Sequence, residues 1–302
     1  MTETPTTRCG FVALVGAPNA GKSTLLNQLV GAKLSIVTHK AQTTRAAIRG
    51  IAVEGDSQIV FVDTPGIFAP KRRLERAMVS AAWSGAREAD RVVLLFDAAR
   101  KGVDEDSAGI IAGLKDAGHR ADLALNKIDL IKRPKLLDLA ARFQAEGIFD
   151  EIFMISATSG DGVGDLRASL AARLPEGPWL FPEDQLSDLP QRLLAAEVTR
   201  EALFLKLHDE LPYALTVETD DWQDFEDGSV RLEQTIYLQR DAHKGIVLGK
   251  NGSKIKEVRA DTQAQLETML ERRVHLYLYV KVKKNWLDDP ERYALWGLDF
   301  RA

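Results

Sequence analysis

Gly16-Ala17-Pro18-Asn19-Ala20-Gly21-Lys22-Ser23 decides the fold. An apolar run, Phe11-Val12-Ala13-Leu14-Val15, precedes it and reads as a buried strand. Thr24-Leu25-Leu26-Asn27-Gln28-Leu29-Val30 follows and reads as a helix. Strand, glycine-rich loop and helix are the context in which G-x-x-x-x-G-K-[ST] forms a phosphate-binding loop. The glycines let the backbone curl so that successive N–H groups converge beside a helix N-terminus, which makes an anion site. Lys22 is placed to reach the outer phosphates, and the Ser23 hydroxyl to ligate Mg²⁺.

Composition excludes several classes. The 302 residues allow two domains. Hydrophobic content of 45 % and charged content of 28 % are ordinary for a globular protein. The net charge of −4 carries no chain-wide nucleic-acid footprint, so charge has to be read region by region. A single cysteine, Cys9, rules out a disulfide framework, and a reducing compartment is expected. The five histidines show no metal-ligand spacing. No run approaches the roughly 20 apolar residues of a membrane span. Met1 to Arg8 lacks the apolar centre of a secretory signal. A cytoplasmic protein is expected.

Beyond the first helix, Gln42-Thr43-Thr44-Arg45 reads as a polar loop. In nucleotide switches a threonine here completes the Mg²⁺ shell and senses the γ-phosphate; Thr44 is the candidate and Thr43 the alternative. Ser57 to Asp63 reads as a strand ending in Asp63-Thr64-Pro65-Gly66. Asp63 is where a second Mg²⁺ contact, through water, is needed, and Gly66 can offer its N–H to the γ-phosphate. Ile67 to Arg73 reads as a mobile polar switch segment. Arg91 to Asp97 and Ala121 to Asn126 are further strands, with a helix over 105–117. The second strand runs into Asn126-Lys127-Ile128-Asp129. The Asp129 carboxylate can accept from guanine N1–H and the N2 amino group, which adenine lacks at those positions; such discrimination reaches ~10⁴-fold. Lys127 can lie along the base, and Asn126 can tie loops together. Glu151 to Ile155 is a strand leading to Ser156-Ala157-Thr158, whose backbone can meet the guanine oxygen. Each motif ends a strand, the edge where open α/β sheets bind ligands.

This set resembles the translation-factor-related GTPases. Ile67 stands where Ras-like proteins place a water-orienting glutamine, so intrinsic hydrolysis is expected to be slow. Asn19 resembles an asparagine that holds K⁺ in a subset of related GTPases; the alternative is a residue suited to a turn.

Four prolines between Leu174 and Pro190 mark a connector. Its Trp179, Leu180 and Phe181 are expected to pack on a domain. Beyond it, helical periodicity runs from Leu193 to Leu211; strands follow over 213–218 and 230–239, flanking an acidic turn over 220–228. Lys244-Gly-Ile246-Val-Leu-Gly249-Lys250-Asn251-Gly252-Ser-Lys254-Ile255-Lys256 combines a short helix, a G-x-x-G loop and a second helix. It resembles the K-homology (KH) domain, whose loop clamps single-stranded nucleic acid. An apolar groove formed by Ile246, Val247, Ile255 and Val258 is expected to receive bases. From Lys244 to Lys284 there are ten basic and four acidic residues, a local +6. A strand over 274–282 completes a three-stranded sheet. Trp286 and Trp296 are expected to pack.

Together the motifs, with Asp209-Glu-Leu-Pro-Tyr213 added, resemble the Era family of bacterial GTPases, within the TrmE-Era-EngA-like superfamily, across nearly the whole chain. The resemblance implies an α/β P-loop GTPase domain with a mostly parallel sheet over 1–176, a linker over 177–190, and a smaller α+β type II KH domain with a tail over 191–302. It implies GTP and GDP contacts from Gly16, Ala17, Pro18, Asn19, Ala20, Gly21, Lys22, Ser23, Thr24, Asp63, Thr64, Pro65, Gly66, Asn126, Lys127, Asp129, Ser156 and Ala157. Mg²⁺ is expected at Ser23, Thr44 and Asp63, with Asn19 a K⁺ candidate. RNA contacts are expected from Ile246, Gly249, Lys250, Asn251, Gly252, Lys254, Ile255 and Lys256. The implied partners are the 3′ end of 16S rRNA and the 30S subunit, with a role in small-subunit assembly, peripheral contact with the inner membrane, and a monomeric state. The rival expectation is a membrane-associated signalling GTPase whose second domain binds protein. A metabolic phosphotransferase has no visible acceptor site.

Overall fold

A computed structural model describes residues 7–40, 43–208 and 210–302. Gln42, Asp209 and the stretch before residue 7, on which expectations were placed above, lie outside the described residues. Contacts divide the chain into two units. The first holds Met1–Ser35, Thr44–Asp188 and Tyr293–Ala302; the second holds Ile36–Thr43 and Leu189–Arg292.

The first unit is built on strands β1 (Arg8–Gly16), β2 (Ile48–Glu54), β3 (Ser57–Asp63), β4 (Arg91–Asp97), β5 (Ala121–Asn126) and β6 (Phe149–Met154). Its helices are α1 (Lys22–Val30), α2 (Arg73–Glu88), α3 (Glu105–Asp116), α4 (Arg133–Gln144) and α5 (Val163–Ala172). The six strands order as β2-β3-β1-β4-β5-β6. All pairs are parallel except β2 with β3. The central strands are nearly continuous apolar runs because helices cover both faces. Val15, Leu94, Phe96, Leu123 and Leu125 pack with Ala82, Ile110 and Phe143 in one core cluster.

Register brings the motif ends together. Asp63 pairs with Leu14, Gly16 with Leu95, and Asp97 with Asn126. Because β2 runs antiparallel, its first residue Ile48 stands opposite Asp63. The segment before it, with Thr44, therefore arrives at the same edge.

Residues 177–188 are held along the first unit. The N–H groups of Leu180 and Phe181 donate to Gln58 Oε1 at 2.9 and 3.0 Å. Ile51 N donates to Leu186 O at 2.8 Å, so this strap covers the open edge of β2.

The second unit contains α6 (Gln191–Lys206), β7 (Leu215–Asp224), β8 (Val230–Leu238), α7 (Asp241–Leu248), α8 (Ser253–Leu270) and β9 (Val274–Val282). The helix-strand-strand-helix-helix-strand order is that of a type II KH domain, with a sheet ordered β7-β8-β9. Leu203, Ile236, Leu238, Val247 and Val258 share one core cluster; Val198, Leu232, Leu266 and Leu276 share another. Trp286 is fully buried and donates to Ala214 O. Two expectations need correction. The helix ends at Lys206, not Leu211, although Leu207 and Leu211 are still buried, the latter in a short 3₁₀ turn. Asp220 to Asp224 belongs to β7, and the turn is confined to residues 225–229. Within this unit Val37 N donates to Glu201 Oε1 at 2.7 Å, and Arg200 donates to Thr43 O.

Candidate nucleotide and nucleic-acid sites

The phosphate loop leaves β1 at Gly16 and enters α1 at Lys22. Gly21 has φ 102°, and a Cβ there would lie 2.3 Å from Asn126 Nδ2, so only glycine fits the approach of the two motifs. Asn126 Nδ2 donates to Ala20 O at 2.8 Å, and Asn126 Oδ1 accepts from Ala157 N at 2.9 Å. One buried asparagine thus ties the phosphate loop to Ser156-Ala157. Of the Ser156-Ala157-Thr158 backbone, expected to meet the guanine oxygen, the Ala157 N–H donates to Asn126 here. Lys127, at φ 67°, donates to Asn19 O at 2.9 Å and Asp97 Oδ2 at 2.6 Å. Asp129 is exposed in the short 3₁₀ turn Ile128–Leu130. Thr24 sits in the first turn of α1. Thr64 is buried and donates to Leu14 O at 2.8 Å, which anchors the end of β3.

Lys22 is buried, and its Nζ donates to Gly16 O at 3.0 Å and Ala17 O at 3.1 Å. Burial brings its pKa down to about 8, opposed by the Asp63 carboxylate and reinforced by the Arg100 cation. Asp63 is fully buried, and burial pushes its carboxyl up, opposed by Lys22 and by three hydroxyls. Those hydroxyls are Ser23 at 2.8 Å, Ser35 at 2.8 Å and Thr44 at 3.3 Å, all on Oδ2. Ser23 Oγ and Thr44 Oγ1 are 2.8 Å apart. Asp63 Oδ1 is buried with no hydrogen-bond partner. Hydroxyl and carboxylate oxygens around a partly unsatisfied buried anion are the donor set of a hard cation, so these residues fit Mg²⁺. Thr44, not Thr43, reaches the cluster; the Thr43 hydroxyl is 2.7 Å from that of Thr38.

Residues 69–73 of the expected switch segment are exposed, but Ile67 is not part of that exposed stretch. It is buried in the core, and its N–H donates to Gly16 O at 3.2 Å. A Cβ on Gly66 would lie 3.2 Å from Pro18 atoms, so glycine lets this turn approach the phosphate loop. Sequence reasoning missed Ser35, whose backbone N–H and C=O are both held by Asn27 of α1. No sequence signal marks it. It also passed over Asp97, although that residue ends β4 on the same edge as Asp63 and Asn126.

In the second unit, Gly249 ends α7, and Lys250, Asn251 and Gly252 form a tight turn into α8. Gly249, Asn251 and Gly252 have φ 72°, 53° and 73°. A Cβ on Gly249 would lie 2.8 Å from Lys254 Cβ, so the turn packs against the start of α8. Lys250, Asn251 and Lys256 are exposed, Lys254 and Ile255 half-buried, and Ile246 is 48 % exposed. Val247 and Val258 are fully buried in the core and cannot receive bases. The apolar contact surface beside the loop is therefore Ile246 with Ile255.

The comparisons with known proteins agree with this geometry. A family model described as a 50S ribosome-binding GTPase matches residues 11–127, and a KH-domain model matches residues 210–287. GTPase Era of Afipia carboxidovorans is 59 % identical over 97 % of this chain and 95 % of its own length. GTPase Era of Agrobacterium fabrum is 58 % identical over 97 % of this chain and 92 % of its own. The chain belongs to the Era GTPase family. A crystal structure of an Era in complex with MgGDPNP and nucleotides 1506–1542 of 16S ribosomal RNA has a TM-score of 0.90 and 36 % identity, covering 96 % of this chain and 99 % of that one. A point variant of Aquifex aeolicus Era bound to GDP·AlF₄⁻ matches with the same TM-score, identity and coverage. As an Era-family member the chain is a GTPase. Among the described residues no helix is long and apolar enough to cross a membrane.

Proposed function

We propose that this GTPase binds the 3′ region of 16S rRNA through its KH domain, acts on the 30S subunit during its assembly, and changes RNA affinity with its nucleotide. The observation that carries the reading is the pairing, in one chain, of the Ser23–Thr44–Asp63 cluster with the Gly249–Gly252 turn and its exposed lysines. The 16S rRNA fragment bound by a related Era supports the choice of RNA.

In this reading the N–H groups of the phosphate loop and Lys22 bind the β- and γ-phosphates. Asn126, Lys127 and Asp129 orient the base, and Asp129 selects guanine. Ser23, Thr44 and Asp63 would hold Mg²⁺, which when bound supplies charge neutralisation of the phosphates. Thr44 and Gly66 sense the γ-phosphate from two sides. The buried Ile67 side chain offers no polar atom to orient water, so intrinsic turnover is slow. Asn19, exposed at the tip of the loop, is the K⁺ candidate; hydrolysis faster in KCl than in NaCl, and equal in both for Asn19→Ala, is the expected result. Thr43 ends a segment grouped with the second unit, and Thr44 begins one grouped with the first. Ordering of Thr44 is therefore one peptide bond from residues held within the KH unit. In the KH unit, Gly249 and Gly252 admit the sugar-phosphate backbone, Lys250, Asn251, Lys254 and Lys256 meet it, and Ile246 and Ile255 receive bases. Titrating a 3′-terminal 16S oligonucleotide and a scrambled one against the protein tests the assignment; equal affinity for the two sequences contradicts it.

A further inference from the structure

Side chains hold every carbonyl from Gly16 to Ala20. Lys22 takes those of Gly16 and Ala17, Lys127 takes that of Asn19, and Asn126 takes that of Ala20. The remaining one, Pro18 O, accepts from Arg100 Nη2 at 2.9 Å. Arg100 follows β4 in Asp97-Ala98-Ala99-Arg100 and belongs to none of the nucleotide motifs. Its guanidinium is itself anchored. Nη1 is paired with Asp104 Oδ2, and Nε lies 3.9 Å from Asp97 Oδ2. Asp104 caps α3 by accepting from Ser107 N at 2.9 Å. Asp97 accepts from Ala99 N at 3.0 Å and from Lys127 at 2.6 Å.

The carbonyl Arg100 holds is at a point of choice. Ala20 N donates to Ala17 O at 3.3 Å, so Ala17-Pro18-Asn19-Ala20 is a hydrogen-bonded turn. Proline at its second position and Asn19 at φ 64° make it type II. Types I and II differ by a flip of the central peptide, here Pro18–Asn19. In a trans peptide the N–H points opposite to the C=O. Drawing Pro18 O toward Arg100 therefore turns the Asn19 N–H away from Arg100. Pro18 has no N–H of its own, so this amide is the first donor at the loop tip.

We propose that Arg100 is a positioning residue that locks the Pro18–Asn19 peptide in the type II orientation and so presents the Asn19 N–H to the β- and γ-phosphates. The inference rests on reading Gly16 to Ser23 as the phosphate loop. The hydrogen bonds and ion pairs of Arg100 run to Pro18, Asp97 and Asp104, and not to the base motif's Asp129 or the Ser23–Thr44–Asp63 cluster. Its hydrogen bond to the loop is 2.9 Å, whereas its link to the base motif runs only through Asp97 at 3.9 Å, a carboxylate that Lys127 holds at 2.6 Å, so its loss should be felt chiefly at the outer phosphates.

The test measures dissociation constants for GMP and a non-hydrolysable GTP analogue, with kcat and KM for GTP, in the full-length wild type, Arg100→Met and Arg100→Lys. In Arg100→Met, GMP affinity stays within about twofold, and the GTP analogue binds about tenfold weaker, the scale of one charge-assisted hydrogen bond. The kcat falls, and Arg100→Lys, which keeps a donor for Pro18 O, recovers most of both. Equal weakening of GMP and GTP analogue, or no change in either, overturns the proposal. Asp104→Asn keeps a capping oxygen and loosens the guanidinium. It is expected to lose the same selectivity to a lesser degree, and unchanged selectivity in it counts against Arg100 even where Arg100→Met fails to fold. A wild type that binds the GTP analogue no better than GMP would instead remove the phosphate-loop reading itself.

Discussion

Lys22 and Asp63 show how the site stores its specificity in single residues. Each is buried, and burial drives each toward its neutral form while their mutual attraction opposes it. A phosphate chain favours charged Lys22, and a cation favours charged Asp63. Without nucleotide, Lys22 loses its proton as the pH passes about 8, so above that pH binding must restore it. GDP affinity should fall by up to tenfold per pH unit above about 8, with proton uptake visible as buffer-dependent binding heat. A buffer-independent heat there would contradict the assignment. The nucleotide-free fold has the opposite sign: the shift costs stability below about 8, and stability rises from there toward 10.5, where the unfolded lysine also deprotonates. In the proposed reading of Asp129 as the guanine selector, Asp129→Asn replaces an acceptor by a donor opposite N1–H and N2. It is expected to weaken GDP by about 10²–10⁴-fold and to favour xanthine nucleotides; competition binding with GDP and XDP checks this.

Elements differ in how far their residues announce them. The parallel strands were legible because a strand covered on both faces is a plain apolar run, and β3, β4 and β5 begin and end where their runs do. Strand β2 was not recognised. Gly50 interrupts its run, and the reason lies in packing: a Cβ there would come within 2.7 Å of Leu26 and Val30 of α1. Helix α2, for which no reading is made above, is nevertheless periodic in sequence: Leu74, Ala77, Met78, Ala82 and Ala86 recur at helical spacing along its buried face. Among candidate site residues, Gly16, Asp63 and Asn126 stand at the strand ends where their motifs put them, whereas the placement of Ser35 and of Arg100 depends on loop geometry that no sequence pattern reveals. Two predictions belong at this scale. Gly252→Asp places a Cβ and a charge at φ 73°, and should lose RNA affinity at least tenfold while circular dichroism shows the fold retained. Leu266→Ala, on the buried face of α8, should destabilise the KH unit by about 2–5 kcal/mol in denaturant unfolding.

At the scale of the whole molecule, a net charge of −4 coexists with a local balance of +6 around the KH loop. RNA binding should therefore be strongly salt-dependent although the chain is acidic. Replacing Lys250, Lys254 and Lys256 together by glutamine should reduce the slope of log affinity against log salt by about 2, roughly 0.7 for each phosphate deprived of its lysine. An unchanged slope would place the phosphates elsewhere. The central claim is that one chain joins a guanine-nucleotide switch to an RNA clamp and that the first sets the second. Its most direct measurement is the affinity of a 3′-terminal small-subunit rRNA oligonucleotide, at one fixed salt concentration, with GDP and with a non-hydrolysable GTP analogue. The account predicts sequence-dependent binding about tenfold tighter with the analogue, a coupling of ordinary size. Equal affinity with both nucleotides would contradict it.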